Sequence, residues 1–117
     1  MPHVVLKGKV SVENIFQELT QLFYREGKTI LRTTDIYLEK EKGTILIDSL
    51  AIEDEKKTTF LVMISQRDDG IVIRLYPRLD VEKTEGVKRM LAELAKKLMS
   101  TFPQLSLAET NLSEYLK

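Results

Sequence analysis

The sequence predicts an α+β fold of order β-α-β4-α, in which two helices pack on one face of a curved antiparallel sheet. Three observations support this prediction. Between residues 84 and 101, apolar side chains recur every three or four positions, which places them in one stripe along a helix. Between residues 29 and 78, apolar and polar residues alternate, as in strands with one buried face. The breaks between these strands are so short that they can join only antiparallel neighbours.

The C-terminal helix is predicted over residues 84–101. Asp80 or Thr84 can cap its first turn, and Pro103 ends it. Because a hydrophobic stripe this wide is not stable in water alone, we expect the helix to lie on the sheet. The stripe consists of Val87, Met90, Leu91, Leu94, Ala95, Leu98 and Met99.

The N-terminal part of the chain is predicted to form a strand and another amphipathic helix. Residues 3–10 form the strand, and Ser11 is placed to cap a helix over residues 12–26. Gly27 follows, as a helix C-cap would. The apolar residues of this helix recur at helical spacing: Val12, Ile15, Phe16, Leu19, Leu22 and Phe23.

A meander of four strands is predicted to follow, because the next segments are rich in β-branched and aromatic residues. Asp69-Gly70 is its strongest hairpin motif. Residues 104–117 are predicted to add a short strand and one or two helical turns that dock on the body. With no linker or repeat, residues 1–117 are predicted to be a single domain. The four strands are residues 29–40, 44–53, 58–66 and 71–78.

The order of a strand, a helix, four strands and a helix resembles a known architecture. It is similar to the helix-on-curved-sheet arrangement shared by the TATA-binding-protein fold and the helix-grip lipid-binding proteins. The resemblance lies in the element order and covers most of the chain. It implies either a helix that closes over an apolar ligand or a sheet face that is open to nucleic acid.

Composition restricts the function classes. Lysines and arginines number 18 and acids number 18, so the zero net charge gives no overall attraction to nucleic acid or to an anionic membrane. The absence of cysteine excludes disulfides and thiolate chemistry and is typical of a cytoplasmic protein. No apolar run is long enough to predict a membrane span. The abundance of Lys, Glu and Arg favours a thermophilic source.

Alternation assigns the strand residues to two faces. With an even number of residues in every hairpin loop, most apolar residues share one face, the core face, which we expect beneath both helices. The core face is predicted to hold Val4, Leu6, Ile36, Leu38, Ile45, Ile47, Phe60, Val62, Ile64, Ile71, Ile73 and Leu75. The opposite face, here called the second face, is predicted to hold Thr33, Asp35, Tyr37, Leu46, Asp48, Leu50, Ile52, Leu61, Met63, Ser65, Val72, Arg74, Tyr76 and Arg78.

The second face is the predicted functional surface, because it carries more large apolar side chains than a monomer usually leaves bare. The predicted function is self-association into a homodimer, since two-fold pairing is the commonest closure. The alternative is a tolerated surface on which the acids form cross-strand ion pairs with Arg32, Arg74 and Arg78. The predicted binding or interface residues are Tyr37, Leu50, Leu61, Met63, Arg74, Tyr76 and Arg78.

No catalytic, metal or cofactor site is predicted. The single histidine, His3, lies near a terminus, whereas a metal needs several converging ligands. The chain has no glycine-rich phosphate loop and no nucleophile-elbow motif. Asp35 and Asp48 are predicted neighbours and form one candidate polar site for acid–base chemistry. We favour ion pairing for these two carboxylates and expect no enzymatic activity.

Two other classes of function stay open. A small apolar, lipid-like ligand is one, held in a cavity under the C-terminal helix, although the bulky inward residues favour a filled core. The other is nucleic acid, because Arg74, Tyr76 and Arg78 alternate basic and aromatic side chains. Asp35, Asp48 and the zero net charge weigh against nucleic acid.

Overall fold

A computed structural model describes all residues from Met1 to Lys117. The chain forms a small α+β fold with a curled antiparallel sheet of seven strands and two α-helices, which confirms the predicted class. The elements are β1 (His3–Lys7), α1 (Val12–Glu18), β2 (Phe23–Glu26), β3 (Thr29–Leu38), β4 (Thr44–Glu53), β5 (Lys56–Arg67), β6 (Gly70–Leu75), α2 (Glu85–Thr101), β7 (Ser106–Thr110) and a 3₁₀ turn (Ser113–Tyr115).

The sheet has the strand order β2-β3-β4-β5-β6-β1-β7, and every pairing is antiparallel. Strands β2 to β6 form a meander, in which each strand pairs with the next along the chain. The N-terminal strand β1 then lies between β6 and β7 and joins the two ends of the chain in one sheet. The sheet therefore adds two strands to the predicted order: β7 corresponds to the short strand predicted within residues 104–117, whereas β2 was not predicted.

The prediction of a first helix over residues 12–26 is wrong at its C-terminal end. Ser11 caps α1 as predicted, accepting a hydrogen bond from the Asn14 N–H at 3.1 Å. The helix ends after Glu18, and the last four predicted residues form β2 instead. Gly27, at φ +59°, begins the two-residue turn between β2 and β3, a position where hairpins favour glycine. Its role is thus a hairpin turn and not a helix cap.

The hairpin loops have even lengths, which preserves the predicted division into two faces. The loop between β4 and β5 has two residues, and so has the loop between β5 and β6. In the β3–β4 hairpin the Glu39 N–H donates to the Thr44 carbonyl at 2.9 Å, so four residues, 40–43, form the loop. Apolar partners therefore face each other across the strands, for example Ile47 with Val62 and Ile64 with Ile73.

A bulge in β3 corrects one assignment. Thr33 opposes Ser49, but Ile36 opposes Ile47, so β3 has one extra residue between these pairs. This shift places Thr33 on the core face, where it is buried, and not on the second face as predicted. Its hydroxyl accepts a hydrogen bond from the Leu22 N–H at 2.8 Å, which satisfies the buried side chain.

The core face takes both helices. Helix α2 lies against strands β1, β3, β4, β5 and β6, and α1 lies against β3, β4 and β5. One cluster of 25 buried residues joins the helices, the sheet and the C-terminal segment, in which Leu112 and Tyr115 are buried. Neither helix has the length and apolar content that crossing a membrane would require. The fully buried side chains of α2 include Met90, Leu91 and Leu94, and Leu98 is 1% exposed.

Candidate functional site

The second face consists of the sheet side chains that point away from both helices. Strand register arranges them in rows that run across the sheet. One row is Tyr37, Leu46, Met63, Arg74 and His3, on β3, β4, β5, β6 and β1. A neighbouring row has Asp48 of β4 opposite Leu61 of β5. Tyr76 continues that row, since its N–H donates to the Leu61 carbonyl at 2.9 Å.

A third row adds an aromatic residue that was predicted to lie in the first helix. Phe23 of β2 opposes Arg32 of β3, which opposes Leu50 of β4, so all three side chains share the second face. Phe23 is 67% exposed, the most exposed large apolar residue of the chain. Leu22, Phe23 and Tyr24 are consecutive apolar or aromatic residues, and a run this short does not distinguish a strand from the end of a helix.

The apolar side chains at the centre of the second face are almost inaccessible to solvent, although no helix covers them. Met63 is 7% exposed and Val5 is 8% exposed. Leu50 and Leu61 are half-buried, and Tyr37 at the side of the sheet is 53% exposed. Side chains of neighbouring strands therefore shield the centre of this face, while its margin stays open.

The charged residues of the second face have no ion-pair partners. The five ion pairs of the molecule all lie elsewhere, on loops, on the two helices and at the start of β5. The prediction of cross-strand pairs between the acids and Arg32, Arg74 or Arg78 is therefore wrong. Asp48 and Arg74 are both half-buried, and Arg74 Nε is buried without any hydrogen-bond partner. Unpaired charged groups in such surroundings cost free energy.

The remaining predicted site residues lie at the margin. Arg78 lies beyond the end of β6 at Leu75, so it is an exposed loop residue and not part of the strand. Asp35 is exposed in the β3 bulge, which lies across from Asp48. These two aspartates line different surface grooves, one beside Phe23 and the other beside Leu61. No shared pocket brings both carboxylates together.

The cavities of the molecule are surface grooves, with volumes between about 160 and 500 Å³. The largest lies next to Phe23, Arg32 and Asp35. None is lined by the buried apolar side chains of α2, because these fill the space above the sheet. No three His, Asp or Glu side chains converge as a metal site requires.

A polar cluster lies at the N-terminus of α2, where Thr84 caps the helix as one of the two predicted candidates, while its contact with Glu53 was not predicted. Glu53, at the end of β4, accepts hydrogen bonds from the Gly86 N–H at 2.8 Å and from the Thr84 hydroxyl at 2.6 Å. The Thr84 hydroxyl in turn accepts from the Val87 N–H at 3.2 Å. A carboxylate in this position satisfies the free N–H groups of the helix and interacts favourably with its dipole. The cluster anchors α2 to the sheet.

The same end of α2 holds the C-terminal segment. The Arg89 guanidinium lies 4.8 Å from the ring centre of Tyr115 and 6.0 Å from that of Tyr24, within the range of cation–π contacts. Arg89 Nη1 also donates to the Tyr115 carbonyl at 3.1 Å, and the Tyr115 hydroxyl donates to Glu85. Burial, with Glu26 nearby, raises the pKa of the Tyr24 hydroxyl above its usual value. These groups partner one another, so the cluster is structural.

The chain matches no protein-family model, no curated protein and no solved structure. The two regions differ in one respect that bears on function. The polar groups around Glu53 and Arg89 have partners within the chain, whereas Asp48 and Arg74 on the second face have none. The second face is therefore the candidate site.

Proposed function

We propose that this protein is a non-enzymatic binding module that forms a homodimer through the second face of its sheet. The observation that carries the proposal is a sheet face that no helix covers, with exposed aromatic side chains at its margin and with Arg74 Nε buried without a partner near its apolar centre. Such a face gains from burial against another surface, and an interface centre of this kind is typically apolar with aromatic and arginine residues. The proposed contact residues are Tyr37, Leu50, Leu61, Met63 and Tyr76, with Phe23 at the margin.

The alternative route to a dimer, pairing at the sheet edges, has less support. The outer strand β2 has only four residues and carries Arg25 and Glu26. At the other edge, β7 has five residues. Its register against β1 shifts between Leu107 and Glu109, which pair with Leu6 and Val5. Short strands, charges and bulges are the features that keep sheet edges from pairing. The second face is the broader apolar surface.

The charge balance also favours association of two copies. The formal net charge is zero at pH 7, so identical chains do not repel one another at long range. The second face carries both acids and arginines, so it can be complementary to itself under a two-fold axis. A closed two-fold dimer needs such a self-complementary patch.

Substitution of Leu61 tests the dimer. We expect the wild-type chain to be a dimer in sedimentation velocity runs between about 1 and 500 µM. Leu61→Lys places a charge in the apolar centre and should weaken the dimer roughly a hundredfold or more. The matched control is Leu107→Lys, because Leu107 is 44% exposed on β7 and lies outside the second face. A wild-type monomer at the highest concentration would refute the proposal.

We further infer that the fold is of the helix-on-curved-sheet type found in the TATA-binding-protein fold and in helix-grip proteins. The position of α2 across five strands supports this inference. Native mass spectrometry of gently purified protein tests the rival function of a lipid-like ligand under α2. A gel shift at low salt that weakens steeply with added salt would instead favour nucleic acid at Arg74, Tyr76 and Arg78.

A further inference from the structure

Two opposite charges flank the central strand β5 on the second face. Asp48 lies on β4 opposite Leu61, and Arg74 lies on β6 opposite Met63. The Asp48 side chain makes no hydrogen bond or ion pair, while its own backbone carbonyl accepts from Thr34. Arg74 makes no hydrogen bond or ion pair either, and its Nε is shielded from water. Arg74 Nε therefore lacks the partner that would offset its lost hydration, and the half-buried Asp48 carboxylate has no charged partner within the chain.

The two charges are placed symmetrically about the centre of this face. Sheet spacings of about 4.8 Å between strands and about 6.7 Å between residues i and i+2 put their Cα atoms about 12 Å apart. The midpoint of the line that joins them falls on β5 between Leu61 and Met63. These two side chains form the apolar centre of the proposed interface.

A second copy, laid face to face, can satisfy both charges at once. Consider a two-fold axis in the plane of the interface. The axis passes over β5 between Leu61 and Met63 and runs perpendicular to the Asp48–Arg74 line, so it exchanges the two positions. Asp48 of each copy then lies over Arg74 of the other. With the spacings above, the strands of the two copies cross at about 70°, nearer to orthogonal than to aligned sheet packing.

We infer that reciprocal Asp48–Arg74 ion pairs between two copies fix the orientation of the dimer. This inference rests on the proposed homodimer and specifies which residues pair across it. A partner of another kind would have to present a carboxylate and a cation at this spacing around an apolar centre. The chain itself presents that pattern. The carboxylate accepts hydrogen bonds from the guanidinium, the geometry in which arginine pairs most strongly.

Charge reversal tests the pairing, because the two single variants complement each other only between chains. In the Asp48→Arg homodimer two arginines meet at each pair, and in the Arg74→Asp homodimer two aspartates meet. We expect each variant alone to dimerise roughly a hundredfold more weakly than wild type. Mixed together, the chains restore both opposite-charge pairs, and the heterodimer should return to within about tenfold of the wild-type affinity.

Native mass spectrometry of the mixture resolves the heterodimer, because the two variants differ in mass. The controls are Glu18→Arg and Lys97→Asp, which change the charge equally but lie on α1 and α2, away from the second face. Thermal unfolding followed by circular dichroism verifies that each variant folds. The controls should dimerise as wild type does.

The outcomes separate this inference from the proposed function. A wild-type monomer refutes the dimer itself. A wild-type dimer that both reversals leave unchanged keeps the dimer and refutes the ion pairs. Reversals that weaken the dimer without recovery in the mixture refute the reciprocal pairing and place both residues at the interface in another orientation. Recovery of the heterodimer supports the inference.

Discussion

The two faces of the sheet are built from alternate residues of the same strands, yet they differ in how their polar groups are satisfied. The core face holds two buried polar residues, and each has a partner: Thr33 accepts from the Leu22 N–H, and the Ser49 hydroxyl donates to the Ile47 carbonyl at 3.2 Å. On the second face, by contrast, Arg74 Nε is buried without a hydrogen-bond partner. A folded chain pairs nearly all of its buried polar groups. A buried polar group without a partner therefore indicates a contact that the single chain does not supply.

The largest expected difference between the faces is in the unfolding free energy lost when an aliphatic side chain is truncated to alanine. Ile64 is fully buried on the core face of β5, and Leu61, three residues earlier, is half-buried on the second face. Ile64→Ala should cost about 2–5 kcal/mol in unfolding free energy because it leaves a cavity. Leu61→Ala should cost roughly 1 kcal/mol, since water already reaches that side chain.

Urea unfolding of both variants, at a protein concentration low enough to keep the chains monomeric, measures this difference. A smaller loss for Leu61→Ala than for Ile64→Ala would show that the second face contributes little to the stability of the monomer. Equal losses for Ile64→Ala and Leu61→Ala would mean that the second face is part of the interior of a single chain. In that case its apolar content would need no second copy.

Alternation made the division into faces predictable from the sequence. The period of side chains along a strand is two, and even loop lengths keep that period in phase from one hairpin to the next. The assignment of Ile45, Ile64 and Ile73 to one buried face followed from this rule alone and agrees with the register. A single odd loop would have reversed the faces of every later strand.

The features that were missed depend on single residues or on contacts between distant parts of the chain. The bulge in β3 adds one residue inside a strand, and nothing in the local composition around Thr34 and Asp35 marks it. Strand β2 contains four residues, too few for its period to be distinguished from that of α1. Glu53 meets Gly86 across 33 positions of sequence, which no local pattern encodes.

An effect of intermediate size is expected at the helix side of the sheet, where the polar groups are paired. Glu53→Ala removes the acceptor of the Gly86 N–H and the Thr84 hydroxyl and should cost about 1–2 kcal/mol. Glu109→Ala is the control, because Glu109 is an exposed strand residue with no ion pair. Urea unfolding measures both variants, and equal values would show that the contact does not stabilise α2.

Substitution of Gly86 tests the same contact, because the change in unfolding free energy should differ in sign with and without the Glu53 side chain. A Cβ atom at Gly86 would lie 2.7 Å from the Glu53 Cδ atom, and the three nearest atoms all belong to the Glu53 side chain. Gly86→Ala should therefore destabilise the wild type by about 1–3 kcal/mol. In the Glu53→Ala background it should stabilise by roughly 0.5–1 kcal/mol, since alanine favours helix and the obstruction is gone. A change of the same sign in both backgrounds would contradict the close contact.

The smallest expected effect is a loss of stability at alkaline pH from two groups on the helix side. Burial, together with Glu26, raises the pKa of the Tyr24 hydroxyl above 10.0. The exposed Lys56 amine pairs with Glu82, and this partner raises the pKa of Lys56 above 10.5. A raised pKa means that the folded chain holds its proton more tightly than the unfolded chain does.

Both groups therefore contribute stability in full below their unfolded pKa values and lose it as the pH rises through the folded ones. We expect the unfolding free energy of the wild type, measured in urea between about pH 8 and 11, to fall at the alkaline end. Tyr24→Phe cannot ionise and should reduce that fall, and Lys56→Gln should reduce it less, because water screens the exposed pair. A fall equally steep in wild type and Tyr24→Phe would show that burial at the end of α2 does not hold this proton.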